Sequence, residues 1–327
     1  MTNDFFEESA QIREAIRRRI GQVTNQVPHP KLKDVINQRN KTSSFLKGTM
    51  GYFIHEGVEG KLSKKGKIEL ATGIEVLCSS GAIFDNAIEG HEERNGETTF
   101  LKEYGIWMQV AASQYGLHHG LKMLFPFMNT YTQKFSHMYS IDEAVVGMVG
   151  MDIERSKNLQ EQLKTTERSN GRFAEVPLVI AATTGTDDGA VIEKISRYGF
   201  NLGTALGIYE EVRDMLGKHG RRRATEIEGG RFAIPLHIAN EMEDFNIENY
   251  VGRIINDTEY VELIKRVINS GAMRETQSLA MRYFDQSGIA LRSAVNRNCF
   301  DKLNSLRISV SSEFEKIISE AEKKYGQ

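Results

Sequence analysis

Asp85 and Glu89 stand four residues apart, as do Glu210 and Asp214, and Glu211 sits beside the second pair. Residues four apart share one face of an α-helix, so each stretch predicts an acidic helix edge. Asn86 adds an uncharged oxygen to the first edge. Two such helices facing each other across a cavity would bring oxygen ligands together around hard cations. Mg²⁺ suits that arrangement, because it takes one or two carboxylates and leaves its other positions to water and substrate phosphates. The chemistry implied is metal-assisted handling of a diphosphate.

The elements that must position these edges are helices. Ile12, Ile16, Ile20 and Val23 form a stripe at three- and four-residue spacing. Ile254, Ile255, Leu263, Ile264, Val267 and Ile268 form a second, and Leu279, Tyr283, Ile289, Leu291 and Val295 continue it. The chain has only five prolines and few alternating segments, so it is read as all-α, with ten or more helices and almost no sheet. Breaks are expected around residues 27–30, 56–60, 90–98, 184–189 and 217–230, where glycine or proline clusters. No linker or repeat interrupts the pattern. The expectation is one domain over residues 1–327, with 1–30 an N-terminal helix and loop.

Composition narrows the function. A formal net charge of −2 is not that of a nucleic-acid binder, and no apolar run approaches the roughly 18 residues of a membrane span. The N-terminal residues are acidic and lack a signal-peptide pattern. Cys78 and Cys299 are too few for a disulfide framework. A cytoplasmic location is therefore expected.

The order of motifs resembles the trans-isoprenyl diphosphate synthase, or polyprenyl synthetase, family. That family carries D-D-x-x-D followed by paired arginines, and later F-Q-x-x-D-D-x-x-D. Here Glu75, Asp85 to Glu89, Arg94, Gly96 and Tyr104-Gly105 follow the first region, while Tyr198 to Ile208 leads into Glu210, Glu211 and Asp214 as in the second. Gly230-Arg231-Phe232-Ala233-Ile234-Pro235 resembles G-K-x-T-x-P. The resemblance runs from about residue 40 to 300 and implies an all-α bundle around a central cavity, usually a homodimer.

Carried over residue by residue, the resemblance implies metal binding by Asp85, Asn86, Glu89, Glu210, Glu211 and Asp214, with Mg²⁺ as cofactor and Mn²⁺ as the alternative. Asn86 replaces an aspartate, and Glu210 and Glu211 are each one methylene longer than the family's residues. Arg94, Arg168, Arg222 and Arg231 fall where cations grip an allylic prenyl diphosphate. The isopentenyl diphosphate site departs most: its G-G-K-R segment reads Thr42-Ser43-Ser44-Phe45, its histidine is Cys78, its second arginine is Asn95, and the glutamine of F-Q is Gly207. Lys47 alone remains of the following cation. Each charge-assisted phosphate contact contributes about 1.5–3 kcal/mol, so ordinary elongation is expected to be impaired. Ser80 and Gly81 replace bulky residues that floor the family's cavity, which implies a deep tunnel for a chain of C20 or more.

Three activities follow from these departures. The leading one is ionisation of a long allylic diphosphate, with the cation cyclised as in terpene synthases or passed to a non-isopentenyl acceptor. The second is a divergent polyprenyl diphosphate synthase with a rebuilt isopentenyl site. The third is a non-catalytic subunit of a heteromer with an active synthase. Among the remaining signals, His118-His119 are not read as ligands, because neighbours on a helix point apart. Cys78 is read as a small buried hydrophobe, and Trp107, Phe125, Phe127 and Met128 as core. Lys218 with Arg221, Arg222 and Arg223 is read as a loop over the diphosphate, with Arg222 its specific contact.

Overall fold

The structure, a computed structural model, describes residues 5, 7, 9–89, 93–94, 97–98, 100–128, 142, 146, 156–218, 223, 225–242 and 247–326, with the side chains of 89, 93, 94, 97, 98, 225, 226 and 247 left aside. Helices come in the order α1 (Ala10–Thr24), α2 (Pro30–Thr42), α3 (Leu46–Gly57), α4 (Lys64–Glu89), α5 (Phe100–Tyr104), α6 (Ile106–Leu124) and α7 (Leu159–Thr166). They continue as α8 (Arg172–Thr183), α9 (Gly189–Met215), α10 (Thr225–Glu228), α11 (Ile234–Met242), α12 (Asp257–Asn269), α13 (Ala272–Arg292) and α14 (Arg297–Tyr325). A π-helical segment, Glu167–Gly171, joins α7 to α8 without a break. Among the described residues the only sheet is a two-strand hairpin, Glu93–Arg94 against Glu97–Thr98. The all-α class predicted from sequence is the one observed.

Local chemistry starts these helices. Asn158, Asp188 and Asn296 each accept hydrogen bonds from first-turn amides that would otherwise lack partners. Asn256 and Glu259 form a full capping box at α12, with Glu259 accepting from the Asn256 amide at 2.9 Å. Asn296 also donates its backbone N–H to Gly57 O at 2.9 Å, which ties the end of α3 to the start of α14.

Among the described residues the interior has two large apolar clusters and a small third one of Val35, Ile83 and Ala112. The larger gathers Phe53, Ile74, Leu178, Leu202 and Phe284; the second gathers Val212, Ile234, Tyr260, Leu263 and Phe314, and Tyr283 and Val310 pack on both. Glycine lets key helices approach closely. A Cβ at Gly120 on α6 would lie 2.8 Å from the Leu77 amide nitrogen on α4. On α9, Gly199, Gly203 and Gly207 recur every four residues and face Glu175, Asn170 and Ala174.

Two parts of the predicted core lie outside. Trp107 is 82% exposed and Phe125 42% exposed. The buried face of α6 runs through Gln109, Ala112, Ser113, Gly116, Gly120 and Leu124, and Trp107 stands on the opposite side of the first turn. Ile254 and Ile289 also leave their stripes for the surface. Met128 and Cys78 are buried as expected.

Candidate active site

The two acidic motifs occupy the C-terminal turns of α4 and α9, and the helix between them fixes their relative height. Phe173, in the first turn of α8, lays its ring against Gly81 of α4: a Cβ at Gly81 would lie 2.5 Å from Phe173 Cε2. Asn170, three residues earlier, fills the space beside Gly207 of α9, where a Cβ would lie 2.8 Å from its Cβ, Cγ and Nδ2. Asp85 follows Gly81 by four residues, and Glu210 and Glu211 follow Gly207 by three and four. One helical turn rises about 5.4 Å. Both acidic clusters therefore begin one turn above a shared level, at the same end of the bundle.

Within this end the side chains differ. Asp85 and Asn86 are half-buried. Glu210 is also half-buried and pairs with Arg213 Nη1 at 2.5 Å, while the Arg213 guanidinium lies over the Tyr209 ring. Asp214 is 9% exposed. Glu211 turns inward. Its Oε1 accepts from Thr166 Oγ1 at 2.9 Å and Gln162 Nε2 at 3.1 Å, and its Oε2 accepts from the Ile234 N–H at 2.7 Å. Burial pushes its carboxyl up to about 7, and those three donors pull back while Asp214 adds a smaller upward push.

Of the expected cations, Arg168 and Arg231 both adjoin elements that contact Glu211. Arg168 is exposed on the π segment, two residues past Thr166. Arg231 is half-buried, three residues before Ile234. Arg222 lies outside the described residues, as do the side chains of Glu89 and Arg94. Of the basic loop, Lys218 pairs with Glu320 at 2.7 Å and Arg223 with Asp257.

Among the described residues no three His, Cys, Asp or Glu side chains gather closely enough to hold a metal ion alone. The donor set nevertheless fits Mg²⁺. Carboxylates on separate helix ends suit a hard cation that completes its octahedron with diphosphate oxygens and water.

No family model matches the chain. A geranylgeranyl diphosphate synthase of Saccharolobus solfataricus is 24% identical over 237 residues, covering 66% of this chain and 70% of the relative. The fold aligns with a solved polyprenyl synthase from Caulobacter crescentus, complexed with calcium and isoprenyl diphosphate, at TM-score 0.82 and 19% identity over 94% of this chain and 97% of the other. A geranylgeranyl pyrophosphate synthetase from Pyrococcus horikoshii aligns at TM-score 0.81 and 16% identity, over 94% and 98%. The chain has the fold of the solved polyprenyl synthases and is similar in sequence to a trans-isoprenyl diphosphate synthase.

Against that synthase fold, three local findings were not visible in the sequence. The space vacated by Ser80 and Gly81 is occupied. Ser80 faces α6, where a Cβ at Gly116 would lie 3.0 Å from Ser80 Cβ, and its hydroxyl donates to Leu77 O at 2.7 Å. The cavity beside Ser79 and Ser80 measures about 20 Å³, room for one water. Phe173 covers Gly81. An amide missing from α9 at Gly207 is matched by one arriving from the facing helix, on Asn170.

The third finding concerns the segment around Lys47. Ser43 Oγ and the Gly48 N–H both donate to Glu75, at 2.8 Å each, and draw the start of α3 onto α4. Lys47, Glu75 and Arg39 all lie close enough to influence the Cys78 thiol, which burial pushes up to about 12. Burial lowers the Lys47 ammonium, and Cys78 and Glu75 pull it back. Sequence spacing had no means of finding Arg39, because it reaches this cluster from α2.

Proposed function

We propose that the chain is a single-domain, Mg²⁺-dependent isoprenoid enzyme that ionises an allylic prenyl diphosphate; the C20-or-longer chain expected from Ser80 and Gly81 is not carried over, because Phe173 and the glycine face of α6 fill that space. The observation that carries this reading is the common level of the two acidic helix ends, with Arg168 on the segment between them. Asp85, Asn86, Glu89, Glu210 and Asp214 would hold the metal, with Mn²⁺ as an alternative. When bound, the metal supplies positive charge against the negative charge that builds on the departing oxygens. Arg94, Arg168, Arg222 and Arg231 fork onto phosphate oxygens and orient the leaving group. The apolar walls of the bundle shelter the allylic cation from water, and the released diphosphate is the available proton acceptor. The cation is then cyclised or passed to an acceptor other than isopentenyl diphosphate. The S. solfataricus relative's activity, geranylgeranyl diphosphate synthesis, supports the substrate class.

A second reading is favoured by one observation. Arg39 and Lys47 each act electrostatically on Cys78, the position of the family's isopentenyl-site histidine, so two cations are available near it. On that reading the chain is a divergent synthase that still condenses isopentenyl diphosphate. The assembly proposed in either case is a homodimer, with pairing to an active synthase as the alternative.

Incubation with Mg²⁺ and geranylgeranyl diphosphate, with and without isopentenyl diphosphate, tests both. Diphosphate release from the allylic substrate alone supports the first reading, and release that requires isopentenyl diphosphate supports the second. No release in either mixture removes both and leaves a non-catalytic subunit.

A further inference from the structure

Glu211 was expected to join its neighbours on a metal, yet both of its oxygens are taken by protein donors. It is 5% exposed, and its three partners come from two other elements. Gln162 and Thr166 stand one turn apart on α7. The Ile234 amide opens α11, directly after the loop that carries Arg231. A carboxylate is an acceptor on every lone pair, and here an amide N–H₂, a hydroxyl and a backbone N–H surround it. The extra methylene relative to aspartate gives the reach to span them. Turning outward to a cation would leave the Ile234 N–H and the Gln162 amide buried without their acceptor, a loss comparable to or greater than the hydrogen bonds themselves. Glu210 and Asp214, 100° and 60° away around the helix by about 100° per residue, keep the other side of the turn.

We propose that Glu211 is a positioning residue and not a metal ligand: it clamps the α7 end bearing Arg168 and the loop bearing Arg231 against the acidic turn of α9. This rests on the reading of Arg168 and Arg231 as diphosphate-binding groups. The clamp itself stands on the hydrogen bonds alone. In it, one buried carboxylate sets the separation of two cations on different elements, so that both address one diphosphate.

The test compares E211Q, E211D and T166V with E210Q. Binding of inorganic pyrophosphate is measured by calorimetry across Mg²⁺ concentrations, and amide exchange of residues 231–236 is followed in ligand-free protein. E211Q and E211D are expected to speed exchange at Ile234 and to weaken pyrophosphate binding at saturating Mg²⁺ by about tenfold or more, leaving the half-saturating Mg²⁺ concentration unchanged. T166V, which removes one donor from the partner side, shifts both in the same direction by less. E210Q is expected to raise the Mg²⁺ requirement without altering exchange. If E211Q instead raises the Mg²⁺ requirement and E211D, the family's own residue, preserves it with unchanged exchange, the assignment is overturned. If wild-type protein binds no pyrophosphate, the diphosphate reading fails, and exchange at Ile234 alone decides the clamp: acceleration in E211Q upholds it and no change refutes it.

Discussion

Replacing Gly203 with alanine tests the helix contact that sets the height of the second acidic turn. A Cβ there would lie 2.3 Å from the Asn170 carbonyl oxygen and 2.6 Å from Ala174 Cβ. Ordinary contact begins near 3.4 Å, so α9 must withdraw from the α7–α8 helix by about 1 Å. The obstacle is backbone, which cannot rotate away. Overpacking of this kind costs about 1–3 kcal/mol, against a gain of about 1 kcal/mol from alanine's better helix propensity. The net expectation is a loss of about 2 kcal/mol at the upper end of that range. Gly21, inside α1 with nothing within 4 Å of its would-be Cβ, is the control: G21A should gain up to about 1 kcal/mol from propensity alone. Urea titration of both variants measures the difference in midpoint at constant slope. If G203A unfolds at the same urea concentration as G21A, the close approach of α9 to the Asn170 segment is wrong.

Other outcomes follow from neighbouring features. His237 is 6% exposed and burial lowers its imidazole to about 4, so the neutral ring is the folded form. Its contribution is present above the ordinary histidine value and is lost as pH falls from about 6.5 toward 4; allowing for partial screening, the loss is on the order of 2 kcal/mol, and H237L should flatten that acid limb in urea midpoints taken across pH. Asn256→Ala should cost about 1 kcal/mol, read as a lower thermal midpoint, because it removes the side-chain acceptor of the α12 capping box for the Thr258 and Glu259 amides, while its own backbone N–H still reaches Glu259. Glu75→Ala should destabilise by several kcal/mol, since it leaves the buried Ser43 hydroxyl and Gly48 amide without their acceptor; a urea midpoint equal to wild type would contradict that. Phe173→Ala should uncover Gly81 and favour longer allylic diphosphates in competition assays, whereas an unchanged preference would show that the floor lies elsewhere.

Much of the fold was legible because helical spacing is a local property. The Ile16, Ile20 and Val23 stripe and the acidic turns of α4 and α9 follow from residues within one or two turns of one another. What escaped depends on the facing element. Ser80 and Gly81 are small, and sequence alone reads smallness as open space, but Phe173 and the glycine face of α6 fill it from outside. Glu211 differs from Glu210 only by about 100° of rotation, and which of the two meets solvent is decided by α7 and α11. Trp107 was misplaced for the opposite reason: an aromatic ring signals burial on average, and its position in the first turn of α6 overrides that tendency.

The π segment at Glu167–Gly171 has a consequence for how this chain tolerates change. Gln162 and Thr166 bond to Glu211, while Asn170 and Ala174 meet Gly207 and Gly203. From Gln162 to Ala174 is twelve residues, which at about 100° each would leave the two ends roughly 120° out of phase. A wide turn absorbs about one residue of that rotation, and all four side chains stay on the side facing α9. The segment therefore stores a residue count as well as a set of side chains. Deleting one residue between 167 and 171 would leave eleven regular-helix steps, about 20° from the same phase, and keep Gln162 and Thr166 on Glu211, whereas inserting one would swing them away by about 100° and point substitutions at the exposed position 168 would leave the phase intact.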